Sequence, residues 1–190
     1  MEMELLEIYD NYFDRVKKFI KRLVKDEWVV EDLIQETFIR VGKNMVSVQD
    51  PSKLSPWIFR IAYNLCLDHF KSRKRDHNEP CSSESSPWPF MELPVQKELE
   101  QLQMGACVQE QIDLLPEPQR IVLILYDLIG FHHDEIADIL HITKENAKVR
   151  LHRARKGLKL ILEKKCTFEL DERNVLVCEP VKEWIDADPA

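Results

Sequence analysis

The sequence predicts an all-α protein, in which two small helical domains are joined by a flexible linker and followed by a short hairpin-like tail. Three observations support this fold class. Glycine accounts for 4 of the 190 residues, and signals for β-hairpins or barrels are nearly absent. Apolar residues recur at helical spacing through both halves of the chain. The segment between those halves, residues 76–94, is rich in serine and proline and has no periodicity.

Two amphipathic helices are predicted at the start of the chain. Apolar residues keep helical spacing over residues 4–25 and again over residues 26–45. In the second of these helices Leu33, Phe38 and Val41 are expected to face a core. Polar residues that are candidates for binding project beside this apolar face.

A third helix is predicted after a loop that is broken at Asp50 and Pro51. Ser55 is expected to cap this helix and Pro56 to be its first residue, because proline is favoured where no backbone N–H is needed. The helix continues from residue 57 to about residue 74 and ends in a run of cations. Those cations are Lys71, Arg73, Lys74 and Arg75.

The second half predicts a helix-turn-helix. A helix begins behind Pro116 and Pro118 and ends at Gly130. A short helix over residues 132–140 and a break at residues 141–143 lead to a long basic helix, whose apolar residues form one stripe. The stripe consists of Ala147, Leu151, Ala154, Leu158 and Ile161. Cations lie off that stripe, as in a recognition helix, although the whole chain has a net charge of −7.

These patterns predict four parts, namely domains at residues 1–75 and 95–164, the linker at 76–94 and a tail at 165–190. The tail has two β-prone runs around a polar turn, which predicts a hairpin. The acidic N-terminus and the lack of a run of 18 apolar residues argue against an export signal or a membrane span. The net charge argues against a general nucleic-acid coat protein.

The 5 cysteines are odd in number and widely spread, which predicts a reducing, cytoplasmic environment. Cys166 and Cys178 lie in the two runs of the tail. A three-residue turn would place them opposite each other, and a four-residue turn would place them one step out of register. A reduced structural pair is the main expectation, with sensing of metal or redox state as the alternative. No metal site or other cofactor is predicted, since two cysteines are half a zinc site and His132 and His133 lack partner ligands at fixed spacing.

Three passages occur in a distinctive order: EDLIQETFIRV at residues 31–41, SPWIFRIAYNLCLDHFKSRKR at 55–75, and LPEPQR through LHRAR at 115–155. Together they resemble a bacterial sigma factor of the extracytoplasmic-function (ECF) type, the smallest class in the sigma-70 family. The resemblance covers about residues 4–164. It implies a protein that binds core RNA polymerase and promoter DNA, with no catalytic activity, no cofactor and no membrane insertion.

The resemblance assigns a role to each passage. Region 2.2 docks on the clamp helices of RNA polymerase, and the residues that match it are Asp32, Gln35, Glu36 and Arg40. Regions 2.3 and 2.4 read and melt the minus-10 element, and the matching residues are Asn64, Lys71, Arg73, Lys74 and Arg75. The loop at residues 47–52 is expected to act with Asn64. Region 4 reads the minus-35 element, and the matching residues are Lys148, Val149, Arg150, His152, Arg153 and Arg155.

Two classes of function stay open. The first is an alternative sigma factor for a stress or envelope regulon, controlled by an anti-sigma factor. The alternative is a helix-turn-helix transcriptional regulator with an N-terminal sensor or dimerisation domain. A sensor domain would not be expected to end in a basic helix carrying Asn64, which favours the first class. An enzyme finds no support, because the sequence has no phosphate loop, nucleophile–base pair or metal-ligand cluster.

Overall fold

A computed structural model describes residues 5–45, 48, 50–76, 107–170 and 176–180, and it describes the side chains of all these except 74–76, 168–170 and 176–180. The predicted linker, apart from its first residue, lies outside the described residues. Within them the chain is helical except for one two-stranded hairpin, as the sequence predicts.

Three helices form the N-terminal part of the fold. They are α1 (Leu5–Leu23), α2 (Glu27–Asn44) and α3 (Leu54–Asp76). Each packs against the other two. Their shared core includes Val16, Phe19 and Ile58, which are completely buried. Asp26 caps the start of α2, because its carboxylate accepts hydrogen bonds from the backbone N–H groups of Trp28 and Val29 at 3.0 and 3.3 Å.

The start of α3 differs from the prediction that Ser55 caps it. The cap is Asp50, whose carboxylate accepts hydrogen bonds from the backbone N–H and the hydroxyl of Ser52 at 2.9 and 2.8 Å. These bonds hold the pKa of Asp50 below its ordinary value. They start a 3-10 turn, Pro51–Lys53, that leads directly into α3. Ser55 lies inside the helix, and its hydroxyl is buried without a hydrogen-bond partner among the described residues.

The second half contains the predicted helix-turn-helix. Helix α4 covers residues 107–113 of the described chain, and α5 (Glu117–Leu123) continues into a π-helical turn, Ile124–Ile129. Gly130 ends this segment with a φ of +90°, a conformation that glycine adopts at little cost. The remaining helices are α6 (His133–Leu140) and α7 (Lys144–Lys165).

The described residues form two compact units. The first contains residues 5–76 and 124–148, and the second contains the remainder, with the divisions falling after Leu123 and after Lys148. The predicted domain boundaries near residues 75 and 95 adjoin or lie within the part that is not described, and they stay a prediction.

In the first unit, α6 packs against α3 and the π-helical turn packs against α1. The rings of Phe59 and Phe131 meet edge to face with centroids 4.8 Å apart. The Arg15 guanidinium lies over both rings and donates a hydrogen bond to the backbone carbonyl of Ile129 at 3.2 Å. The Nζ of Lys53 is 2.6 Å from a carboxylate oxygen of Asp138.

In the second unit, α7 leads into the hairpin formed by β1 (Cys166–Leu170) and β2 (Leu176–Pro180). The strands are antiparallel and pair Cys166 with Pro180 and Phe168 with Cys178. Both registers considered from the sequence are therefore wrong, since Cys178 lies two positions from the residue opposite Cys166. The reason is that the strands are joined through residues 171–175, a longer connection than either alternative assumed.

Candidate protein and nucleic-acid interfaces

The outward side of α2 carries the four residues assigned to region 2.2. Asp32, Gln35 and Arg40 are exposed and Glu36 is half-exposed. The Nε of Arg40 donates to a Glu36 carboxylate oxygen at 2.7 Å, one helical turn away. A partly exposed pair of this kind contributes only about 0.3–0.5 kcal/mol, so its role in holding the fold is small. The inward side of α2 is buried and consists of Val30, Leu33, Ile34, Thr37, Phe38 and Val41.

Two large apolar residues on the outward side of α2 were missed in the sequence. Trp28 is 82% exposed and Ile39 is 48% exposed. Both positions fall outside the buried stripe of the helix, and an apolar residue at an outward position was the signal available in the sequence. Asp32 and Gln35 lie between them on the same side. This face of α2 therefore combines exposed apolar and acidic groups.

Helix α3 carries the residues assigned to the minus-10 element. Asn64, Lys71 and Arg73 are exposed, and the ammonium of Lys71 is 3.7 Å from the carboxylate of Asp68. Lys74 and Arg75 belong to α3, but their side chains lie outside the described part. The described residues of the predicted minus-10 loop, 48 and 50–52, include the turn that Asp50 caps.

A histidine beside this cationic end of α3 was not anticipated. The Nε2 of His69 is buried and has no hydrogen-bond partner among the described residues. Burial, and next the nearby charge of Arg73, lower the pKa of His69. The lowered pKa favours the uncharged form of this side chain over the charged one.

The turn between α6 and α7 is held by local bonds. His141 has a φ of +51°, and the N–H of Ile142 donates to the carbonyl of Ala137 at 3.1 Å, which closes the end of α6. Thr143 caps α7, because its hydroxyl accepts from the N–H of Asn146 at 3.1 Å. Lys144 at the start of α7 pairs with Asp134 of α6 at 2.7 Å, and its hydrogen bond lowers the pKa of Asp134.

The two histidines predicted to begin α6 have structural roles. His132 occupies the cap position, and its backbone N–H donates to the carboxylate of Glu135 at 2.8 Å. The ring of His133 lies against that of Tyr126, with centroids 4.8 Å apart. Among the described residues no group of three or more histidine, cysteine, aspartate or glutamate residues could hold a metal ion.

The buried stripe of α7 fixes which side of the helix is free for DNA. Ala147, Leu151 and Ala154 are buried at 0, 3 and 0% exposure. Successive residues advance by about 100° around a helix, so Val149, His152 and Arg153 lie opposite that stripe, and Lys148 lies about a quarter turn from it. All four side chains are exposed.

Two further arginines on α7 lie closer to the buried stripe, on either side of the helix. Arg150 is half-buried and Arg155 is exposed. Side chains at the edges of a helix in the major groove point toward the backbones rather than toward the base edges. The geometry of α7 thus places Val149, His152 and Arg153 opposite the buried stripe, and Lys148, Arg150 and Arg155 at its flanks.

Comparison with known proteins shows the family to which the chain belongs. The chain matches the family described as Sigma-70 region 2 over residues 8–76 and the family Sigma-70, region 4 over residues 105–158. It is 32% identical over 159 residues to the ECF RNA polymerase sigma factor SigM of Bacillus subtilis, covering 84% of this chain and 95% of that protein. It is 29% identical to the RNA polymerase sigma factor SigZ of Bacillus subtilis, covering 92% and 96%.

Two solved structures share the fold. They are CnrH in complex with the cytosolic domain of CnrY, with a TM-score of 0.61, 20% identity and coverage of 84% and 87%, and RpoE in complex with the anti-sigma factor NepR from Bartonella quintana, with a TM-score of 0.67, 21% identity and coverage of 83% and 97%. The protein is thus a sigma factor of the sigma-70 family. Within that family it belongs to the ECF class. No helix in the described ranges is long and apolar enough to span a membrane.

Proposed function

We propose that the chain is an alternative sigma factor that binds core RNA polymerase in the cytoplasm, directs it to promoters and helps to melt them. The observation that carries this function is the occurrence of both sigma-70 regions in one chain, in order, at residues 8–76 and 105–158. The protein has no catalytic role of its own and supplies binding energy to a reaction that the polymerase performs.

Helix α7 reads the minus-35 element from the major groove. Lys148, His152 and Arg153 offer donors that suit guanine N7 and O6, and Val149 offers an apolar contact for a thymine methyl group. Arg150 and Arg155 contact phosphates and set the register of the helix, without sequence information of their own. The bonds at Thr143 and Lys144 fix the start of α7, so that these side chains enter the groove in one orientation.

Helix α3 and the loop before it act at the minus-10 element. Opening a duplex requires a pocket for an unpaired base and cations for the exposed strand. Asn64 and the loop at residues 47–52 form the pocket. The phosphates are contacted by Lys71, Arg73, Lys74 and Arg75. The polymerase contacts α2 at Asp32, Gln35, Glu36 and Arg40, where exposed carboxylates suit a basic partner.

Control by an anti-sigma factor completes this function. One similar structure is titled as a complex with the anti-sigma factor NepR, and another as a complex with the cytosolic domain of CnrY. A protein that covers α2 or α7 of this chain would block polymerase or promoter binding. The regulated genes are proposed to belong to a stress or envelope response.

The first experiment is transcription with purified core RNA polymerase and a library of linear promoter fragments. The chain should co-purify with the core enzyme and direct specific transcripts, whereas a helix-turn-helix regulator would bind duplex DNA without needing polymerase. Reversing both Asp32 and Glu36 to lysine should abolish core binding while the helix content stays the same. Reversing Asp10 and Asp14, exposed carboxylates on α1, provides the matched control.

The second experiment separates melting from docking. Asn64→Ala should preserve binding to core enzyme and to duplex minus-35 DNA, because Asn64 is exposed and packs in no core. It should reduce the permanganate reactivity of minus-10 thymines, and a premelted template should restore part of the activity. Normal promoter opening by this variant would show that other residues form the pocket.

A further inference from the structure

The outward face of α2 has apolar residues at both ends. Trp28 and Ile39 are eleven residues apart in the sequence. On an α-helix this spacing places them about 16 Å apart along the axis and within about 20° of each other around it. They are exposed by 82% and 48%. The two side chains therefore lie at opposite ends of one straight strip of surface.

The strip between these ends is acidic. Glu31, Asp32 and Gln35 are exposed there. Neither Glu31 nor Asp32 forms an ion pair with any of the residues that the structure describes, whereas Glu36 at the edge of the strip is bound to Arg40. Two carboxylates thus stay available at the centre of the strip for cations of a partner.

Trp28 contributes little to the fold of its own chain. Its backbone N–H donates to the cap residue Asp26, but any residue other than proline could do so. Its indole is largely in water, where a large aromatic surface gains nothing from burial. Tryptophan is enriched among the residues that dominate binding energy at protein interfaces. An exposed tryptophan beside an acidic strip therefore indicates a contact with another molecule.

We propose, building on the sigma-factor function above, that Trp28 and Ile39 are two apolar anchors of the polymerase-binding face. The partner is a helix of the core polymerase with cations at its centre and apolar pockets about 16 Å apart on either side. Charge complementarity selects this partner, because Glu31 and Asp32 lie between the anchors. The apolar ends supply most of the affinity, and the acidic centre sets orientation and the rate of encounter.

The test measures the affinity of the full-length chain for core RNA polymerase without DNA. Trp28→Ala should weaken binding about tenfold or more and Ile39→Ala should weaken it several-fold, as expected when buried anchors are truncated. The matched control is Leu160→Ala, since Leu160 on α7 is 51% exposed but lies outside the strip. Circular dichroism and thermal unfolding should be unchanged in all three variants, because the substituted side chains are exposed.

Salt separates the two kinds of contact. Raising the ionic strength should weaken the wild type and Trp28→Ala by the same factor, because an apolar contact is not screened, and should weaken Glu31→Gln/Asp32→Asn less than the wild type. Wild-type binding that is unaffected by Trp28→Ala and Ile39→Ala would overturn the anchors and leave the sigma-factor function intact.

Failure of the wild type to bind core enzyme at all would instead contradict the proposed function. Two further results would also overturn the assignment of the strip to polymerase. One is a concentration-dependent dimer in sedimentation that Trp28→Ala dissociates. The other is that Trp28→Ala and Ile39→Ala lose binding to an anti-sigma protein while their affinity for polymerase is unchanged.

Discussion

The aromatic contact between Phe59 and Phe131 can be used to test whether residues 124–148 belong to the same folding unit as the N-terminal helices. Both residues are nearly inaccessible, at 0 and 2% exposure, and their ring centroids are 4.8 Å apart. Phe59 also lies 5.4 Å from the ring of Phe19, and Arg15 covers both Phe59 and Phe131. The two phenylalanines are far apart in the sequence, so their contact joins the N-terminal helices to the segment before α6.

The perturbation is a double-mutant cycle. Truncating a buried phenylalanine to alanine destabilises a protein by about 3–5 kcal/mol, much of the 5–15 kcal/mol that holds a typical domain. Phe59→Leu and Phe131→Leu are therefore preferable, with an expected loss of about 1–2 kcal/mol each. An edge-to-face pair contributes about 0.5–1.5 kcal/mol beyond area burial. The loss of unfolding free energy in the double variant should therefore differ from the sum of the two single losses by that amount.

The assay is urea unfolding followed by circular dichroism, with the free energies extrapolated to water for all four proteins. A coupling of at least about 0.5 kcal/mol means that residues 124–148 unfold together with α1–α3. Losses that add to within about 0.3 kcal/mol would refute the contact, and two separate transitions would favour the domain boundaries predicted from chain order. A control cycle pairs Phe59→Leu with Leu160→Ala, which should be additive.

Three other predictions follow from the described contacts. Burial raises the pKa of the Cys66 thiol to about 12. Iodoacetamide at pH 8 should therefore modify Cys66 on the order of 10³ times more slowly in the folded chain than in the urea-unfolded chain. Equal modification rates in the two states would contradict the burial of this thiol. Lys148→Ala should reduce the binding free energy for the preferred minus-35 element by about 1–3 kcal/mol and relax the sequence preference at one base pair. Arg155→Ala should weaken binding to all minus-35 sequences alike and reduce the dependence of the binding constant on salt concentration. If Lys148→Ala weakens binding to every sequence equally, Lys148 contacts a phosphate. Cys166 and Cys178 should stay reduced in mild oxidant, because residues on a diagonal across two strands have Cα atoms about 7–8 Å apart, beyond the reach of a disulfide. If this is wrong, mass spectrometry would detect the loss of two hydrogen atoms, whose electrons pass to the oxidant.

The helices of this protein were predictable because their apolar periods are regular. The stripe on α7 is an example, since Ala147, Leu151 and Ala154 are buried as expected, and Leu158 and Ile161 at its end are half-buried. The break at residues 141–143 was predictable for the same reason, as the period stops there. The face of a helix on which a residue lies follows from its spacing in the sequence, so the sequence alone predicts it.

The cap of α3 and the register of the hairpin were not predictable from such patterns. Ser55 is the second residue of α3, whereas Asp50 precedes the helix and accepts a hydrogen bond from the N–H of Ser52, because Pro51 starts a 3-10 turn there. The extra turn is not recorded in the spacing of apolar residues. The packing of Phe131 against Phe59 joins distant segments, and no period in the sequence records it. Trp28 was overlooked because a single apolar residue on a polar face leaves a helical pattern intact.

The placement of cations on α7 explains how a protein with a net negative charge can bind DNA. The net charge of −7 disfavours association with any stretch of DNA, whereas the cations of α7 act within a Debye length of about 8–10 Å, at the surface of the groove. Nonspecific affinity, which arises almost entirely from phosphate contacts, is thereby kept low. The two kinds of charge thus have separate effects, because the acidic surface disfavours association with DNA in general, whereas the cations of α7 act only where that helix enters a groove.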